Sequence, residues 1–189
     1  VYKKNTPYST ITPYVLEALI KYKEKTQNKE IDKYILDVYQ FLEKDIQIII
    51  ENDDYIATSY GPLKDRIVTN SVSYTMYSYA LLLDFMPKKK KYIKNKIIKL
   101  YNFICCKQKE DGSWFYNPYS ENSFIDCFHS AFIIKNIIKT NKIIKLNESK
   151  IVINSGFRYI ENNFKDSKTG LYKRFSIQNK PGLIKFDLY

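Results

Sequence analysis

The sequence predicts an all-α protein of about three helical hairpins stacked side by side, an α/α toroid of the six-hairpin kind or a part of one. Apolar residues recur at helical spacing through six segments, and these segments pair across short polar turns. The pairs also repeat. Leu16-Glu-Ala18-Leu, Ser78-Tyr-Ala80-Leu and His129-Ser-Ala131-Phe each place a small residue in an apolar helix, with the alanines 62 and 51 residues apart. A lone hairpin cannot bury both faces, so repeated hairpins stack. These periods exceed the roughly 34 to 47 residues of common helical solenoids.

The first helix is expected from Thr10 or Thr12, with Pro13 in its first turn and Val15, Leu16, Leu19 and Ile20 as its apolar stripe. A second runs from about Glu30 to Glu51-Asn-Asp-Asp54, and Tyr55 to Asp65 reads as a loop broken by Gly61-Pro62. Val72 to Met86 and Tyr92 to Lys107 form the second pair, parted at Pro87. The third runs from Ser123 to about Thr140 and from about Ser149 to Phe164. Leu171 to Ile177 then reads as extended, and Lys185 to Tyr189 as the entry to another helix.

Composition bounds the function. The 189 residues fit a single toroid domain, 1–189, and the absence of an initiator Met at Val1 suggests a chain incomplete at one or both ends. No apolar run approaches the roughly 20 residues that span a bilayer, and no secretory signal is evident, so a cytoplasmic, at most membrane-peripheral, location is expected. The net charge of +11 invites a nucleic-acid reading, but only Arg66, Arg158 and Arg174 among 31 basic residues offer the guanidinium fork that base and phosphate recognition favours. No nucleic-acid partner is expected. Cys105, Cys106 and Cys127 lack ligand spacing and one His is too few for most zinc sites, so neither metal nor cofactor is expected.

The chemistry concentrates between Gln108 and Phe132, which hold the only Trp and the only His. Inner helices of a toroid point one way, so their positive N-terminal ends and the long loops share one opening. That opening would gather Tyr14, Arg66 with Asn70, the loop bearing Trp114, Tyr116, Tyr119 and Asn122, then Asp126 with His129, and Asp187. Aromatic faces stack on sugar rings while carboxylates and amides bind hydroxyls, so the set suits a glycan. Asp126 and His129 lie one turn apart on one helical face. Each has a plainer role: Ser123-Phe-Ile-Asp126 fits a capping box, His129 an interior hydrogen bond, and Trp114 a plug between hairpins.

Gln108-x-x-x-Gly112-x-Trp114 matches the QW-type motif of α/α-toroid proteins. The longer string, Gly112-Ser-Trp114-Phe-Tyr116 followed by Ile125-Asp126-Cys-Phe128-His129, resembles toroid proteins encoded in bacterial cell-surface polysaccharide clusters, often mislabelled aminolevulinate dehydratases. That resemblance covers roughly Tyr14 to Asp187 and implies a toroid acting in polysaccharide synthesis or modification, with Asp126 and His129 on the family's Asp-x-Phe-His. A hydrolase, lyase or epimerase is expected. Asp126 and Asp187 form the nominated carboxylate pair for hydrolysis, and His129 with a Tyr the proton-transfer set for epimerisation. A non-catalytic glycan-binding scaffold is the alternative, and a terpenoid cyclase or prenyltransferase a more distant one, lacking its acidic runs. Three hairpins leave open sides, so self-association through exposed hairpin faces is also expected.

Overall fold

A computed structural model describes residues 6–62 and 66–177. The expected three hairpins are present: α1 (Thr12–Thr26) with α2 (Ile31–Lys44), α3 (Thr69–Leu82) with α4 (Lys90–Cys106), and α5 (Cys127–Ile143) with α6 (Ser149–Asn163). α1, α3 and α5 stand side by side as an inner row. Contacts along the row step in one direction: Tyr14 meets Tyr74 and Glu17 meets Tyr77, while Lys135 and then Lys139 reach back to Tyr14 and Glu17. The three inner helices are therefore parallel, with their N-termini at one end. The fold is all-α, a partial α/α toroid.

α3 lies at the centre of the row. It contacts α1, α2, α4, α5 and the strand that precedes it, and every residue except Leu81 is buried. Such a helix cannot be amphipathic. Its hydroxyls are instead satisfied locally: Ser71 Oγ donates to Val68 O at 2.8 Å, Ser73 to Asn70 O at 2.6 Å and Ser78 to Tyr74 O at 2.9 Å. Their small side chains also let neighbouring helices come close. The outer helices follow the ordinary rule, with Ile31, Ile35, Tyr39 and Leu42 forming the buried stripe of α2.

Several expectations need correction. The isoleucine run after α2 is not helix: β1 (Ile48–Glu51) pairs antiparallel with β2 (Ile56–Thr58). β-Branched residues favour the pleated chain, and Asn52 Oδ1 closes the turn by accepting from the amides of Asp54 and Tyr55. The segment read as the start of the fifth helix is also extended to Asp126. There β3 (Ile125–Asp126) pairs with β4 (Phe175–Ile177), which lies in the segment expected to be extended. The three alanines are not equivalent positions. Ala80 is buried near the C-terminal end of α3, whereas Ala131 lies in the second turn of α5, and both it and Ala18 are exposed. The helix entry expected at 185–189 lies outside the described residues.

The inner face of α3 is roofed by pairs that join α1 to α5. Lys135 donates to Tyr14 OH at 2.9 Å, and Lys139 and Tyr77 both donate to Glu17. Burial pushes the Glu17 carboxyl up, but the hydrogen bonds from Lys139 and Tyr77 outweigh it and hold the group below its ordinary 4.5. A depressed carboxyl contributes stability above its unfolded pKa, and that stability is lost as pH falls through the folded value. Glu17→Gln should therefore lower the thermal midpoint at neutral pH and narrow its gap to the parent below pH 4.5. Parallel midpoint curves across the series would remove this role for Glu17.

Candidate functional site

Asp126 is the N-cap of α5, held in extended backbone by the β3–β4 pair. Its carboxylate does two things. Oδ1 accepts the backbone N–H of His129 at 2.6 Å, satisfying one of the free donors of the first turn. Oδ2 meets Nδ1 of the same His129. The capping-box role therefore moves from Ser123 to Asp126 itself, and Ser123 Oγ accepts the amide of Asn117 at 2.8 Å within the loop. With Nδ1–H donated to the carboxylate, a neutral His129 carries its lone pair on Nε2.

Aromatic rings enclose the imidazole. Tyr116 lies edge-on at 4.8 Å between centroids, Phe128 at 5.3 Å and Phe124 at 6.1 Å. Tyr116 and Phe124 stack at 4.6 Å, and Phe175 closes on Phe124 from β4. The loop is fastened to the top of α3, where Thr69 donates its amide to Tyr116 O and its hydroxyl to Phe115 O. Asp126 is only 5% exposed, whereas the His129 side chain keeps 26%. The acid is buried and its histidine reaches the surface.

From His129 the rings continue along the inner face. Phe128 packs on Phe132 at 4.5 Å, Phe132 stacks on Tyr74 at 5.7 Å, and Tyr74 meets Tyr14 at 6.1 Å. The Lys135 ammonium lies over three of them, 4.2 Å from Phe132, 4.6 Å from Tyr14 and 5.5 Å from Tyr74. Burial first, then the hydrogen bond with Tyr14, pushes the Tyr74 phenol far above its usual value, with the charge of Tyr60 adding to it. Tyr60 also carries the Arg66 guanidinium over its ring at 4.5 Å. Asn70 sits in the first turn of α3, 2% exposed, with Oδ1 unpartnered among the described residues.

The structure thus draws Asp126, His129, Tyr116, Asn70, Tyr14 and Arg66 to the N-terminal end of the inner row. It does not bring the others there. Tyr119 is exposed on the outer side, under the Lys107 ammonium at 4.2 Å, and Asn122 is exposed in the loop. Asp187 lies outside the described residues. Trp114 is 2% exposed and cannot offer a stacking face. Its Nε1 donates to Ile104 O at 2.9 Å, and its ring fills the space a side chain at Gly156 would take. Gln108 Nε2 completes the strap, donating to Gly112 O and to Val152 O of α6, both at 3.0 Å. Phe124 packs on Tyr116 and His129. Phe128 and Phe132 line the path from His129 to Tyr74. Lys135 was missed, although it lies two turns below Phe128 on α5 and continues this face.

No family model matches the chain, and no curated protein does. Solved structures do. A glycosyl hydrolase of family 88 from Bacteroides vulgatus superposes with TM-score 0.66 at 11% identity, over 95% of this chain and 56% of that one. A family 105 glycoside hydrolase from C. acetobutylicum gives 0.64 at 14%, covering 88% of this chain and 52% of the other. An unsaturated glucuronyl hydrolase mutant from Streptococcus agalactiae gives 0.63 at 11%, covering 94% and 50%. At such identity the likeness establishes the fold, and the chain spans about half the length of these structures.

The strap yields a stability test. Trp114→Ala opens a core cavity and orphans Ile104 O, so urea unfolding should show a loss of about 3–5 kcal/mol. Gly156→Ala overpacks the same contact, its Cβ placed 2.7 Å from the indole ring, and should cost about 1–3 kcal/mol. In a Trp114→Phe background the Gly156 substitution should cost less; equal costs in both backgrounds would separate the two residues.

Proposed function

We propose that the chain belongs to a carbohydrate-active protein in which the Asp126–His129 pair works on a glycan at the N-terminal mouth of the inner row. One observation carries the reading. A buried carboxylate orients a partly exposed imidazole among aromatic rings, with Nε2 unpartnered among the described residues and able to take or give a proton. That is a general base with its positioning acid. Asp126 is the positioning residue and His129 the group that would meet substrate, while Tyr116 supplies an edge for a sugar ring. The fold shared with an unsaturated glucuronyl hydrolase supports an unsaturated uronyl sugar as the substrate class. Activity, substrate and partners are those of the whole protein.

Asp187 remains the proposed second carboxylate of a hydrolytic pair. The resemblance to polysaccharide-cluster proteins supports a place in cell-surface polysaccharide synthesis or modification, in the cytoplasm or at the membrane periphery. Among the described residues no helix is long and apolar enough to cross a membrane. A binding toroid without turnover is the second reading, favoured by the run of rings from Tyr116 to Tyr14 that continues beyond the imidazole.

The experiment compares the parent with His129→Gln and Asp126→Asn on a panel of uronyl oligosaccharides, following turnover, binding and thermal midpoint together. Asparagine keeps the cap through its carbonyl oxygen but gives up the charge that orients His129. Both variants should lose roughly 10²- to 10⁴-fold in turnover with a small change in midpoint. Binding that persists with no turnover in any form selects the scaffold reading. Turnover that survives in both variants removes His129 and Asp126 from the site.

A further inference from the structure

The charge of the chain is divided unevenly between its two ends. The inner helices are parallel and each returns through an outer partner, so the three hairpin turns, 27–30, 83–89 and 144–148, all lie opposite the Asp126–His129 mouth. Taken with four helical residues on either side, these turns hold eleven lysines, no arginine and five carboxylates, a net charge of +6. The mouth segments bounded in the same way are 6–15, 41–72, 103–130 and 160–177. Their described residues include eight basic and eleven acidic ones, a net charge of −3. Ten of the eleven lysines at the turn end are exposed. Lys23 pairs with Asp32 and Lys90 with Asp84, and the other nine have no carboxylate in ion-pair contact among the described residues.

The stability of the fold does not call for this arrangement. α2, α4 and α6 begin at the turn end, and the partial positive charge of a helix N-terminus favours carboxylates there. The first turns of α4 and α6 contain none and carry Lys90, Lys91 and Lys150, while that of α2 sets Lys33 beside Asp32. Lysines gathered against the local field point to a polyanionic partner. Two features favour a lipid surface over a nucleic acid. No guanidinium lies among the eleven cations, so the fork that suits phosphates and base edges is missing from this end. Each hairpin also adds an exposed amphipathic or apolar side chain to it: Tyr34 at 52%, Tyr92 at 47% and Ile143 at 43%. Such groups seat where headgroups meet acyl chains.

We propose that the turn end of the hairpin stack docks on an anionic lipid surface and so presents the mouth to solution. Clusters of about four to eight lysines suffice to draw a protein to an anionic leaflet. The acidic mouth does not oppose the contact. The 14 residues of α3 alone separate the two ends by roughly 21 Å, more than two screening lengths of about 8 Å at physiological salt. The proposal gives the membrane-peripheral location a surface. It rests on the distribution of charge and stands or falls apart from the Asp126–His129 chemistry.

Flotation of the 189-residue chain with lipid vesicles tests it. Binding is expected to vesicles of equal parts phosphatidylserine and phosphatidylcholine, weakening as salt rises, and not to phosphatidylcholine alone. Lys88→Glu combined with Lys91→Glu, both at exposed positions, should lower binding by at least about tenfold. Lys109→Glu combined with Lys168→Glu makes the same change of net charge at the mouth and should leave binding near that of the parent, with the thermal midpoint held in both pairs. Tyr34→Trp should shift its emission to the blue on the anionic vesicles, and Tyr119→Trp at the mouth should not, the buried Trp114 being common to both. Failure to float with either vesicle, equal binding to the neutral one, equal loss in the two lysine pairs, or a blue shift at Tyr119 in place of Tyr34 overturns the proposal. An RNA homopolymer that binds the chain more tightly than the anionic vesicles at the same salt also overturns it, since the partner of this end is then a nucleic acid.

Discussion

The constraint on which the structure depends is the enclosure of α3. A helix surrounded on every side has no solvent face on which to place polar groups and no room for long ones. Its sequence answers both demands with serines and threonines that return their hydroxyls to carbonyls one turn back, and with three tyrosines whose hydroxyls reach specific partners. Tyr74 meets Tyr14 of α1, Tyr77 meets Glu17, and Tyr79 reaches Leu42 O and the Glu43 carboxylate of α2. Each phenol therefore fixes where a neighbouring helix lies. The hydroxyl positions are the register marks of the inner row, and the apolar residues between them fill the space those marks define.

The same logic separates two sets of residues that stand close in sequence. Gln108, Gly112 and Trp114 face inward and fasten α4 to α6; their polar atoms end on backbone carbonyls, and the ring is sealed. Twelve positions beyond Trp114, Asp126 also satisfies backbone, but it has one oxygen left over and spends it on an imidazole that solvent can reach. A strap needs all of its polar groups satisfied within the protein. A site needs one that is not.

Much of this was legible in the chain. The helix count and the hairpin pairing follow from apolar spacing, because that spacing is what each outer helix buries. The pairing of Asp126 with His129 follows from three-residue spacing at a helix start. What was not legible depends on company. Ile48 to Ile50 look like the end of an amphipathic helix until the Asn52 turn returns β2 alongside. The fifth helix was read four residues too early because β3 borrows its pairing from β4, about fifty positions downstream. Trp114 could be either platform or plug by composition, and only the bare Gly156 opposite it decides. The alanine repeat misled for a related reason: in a stack, small residues are needed at whatever height two helices touch, and that height differs from joint to joint.

The bridges over α3 also order events in time. Tyr14 and Lys135 are 121 residues apart, and Glu17 and Lys139 are 122. A ribosome adding about 5–20 residues per second needs roughly 6–24 s to cover that interval. For most of it, α1 has its hairpin partner available but not the lysines that cover Glu17 and Tyr14. The β1–β2 hairpin and the α1–α2 turn involve neighbours only, so they can form early. The inner wall is finished only after the third hairpin emerges, and a nascent chain halted before Lys135 would hold a Glu17 carboxylate met by Tyr77 but by no lysine.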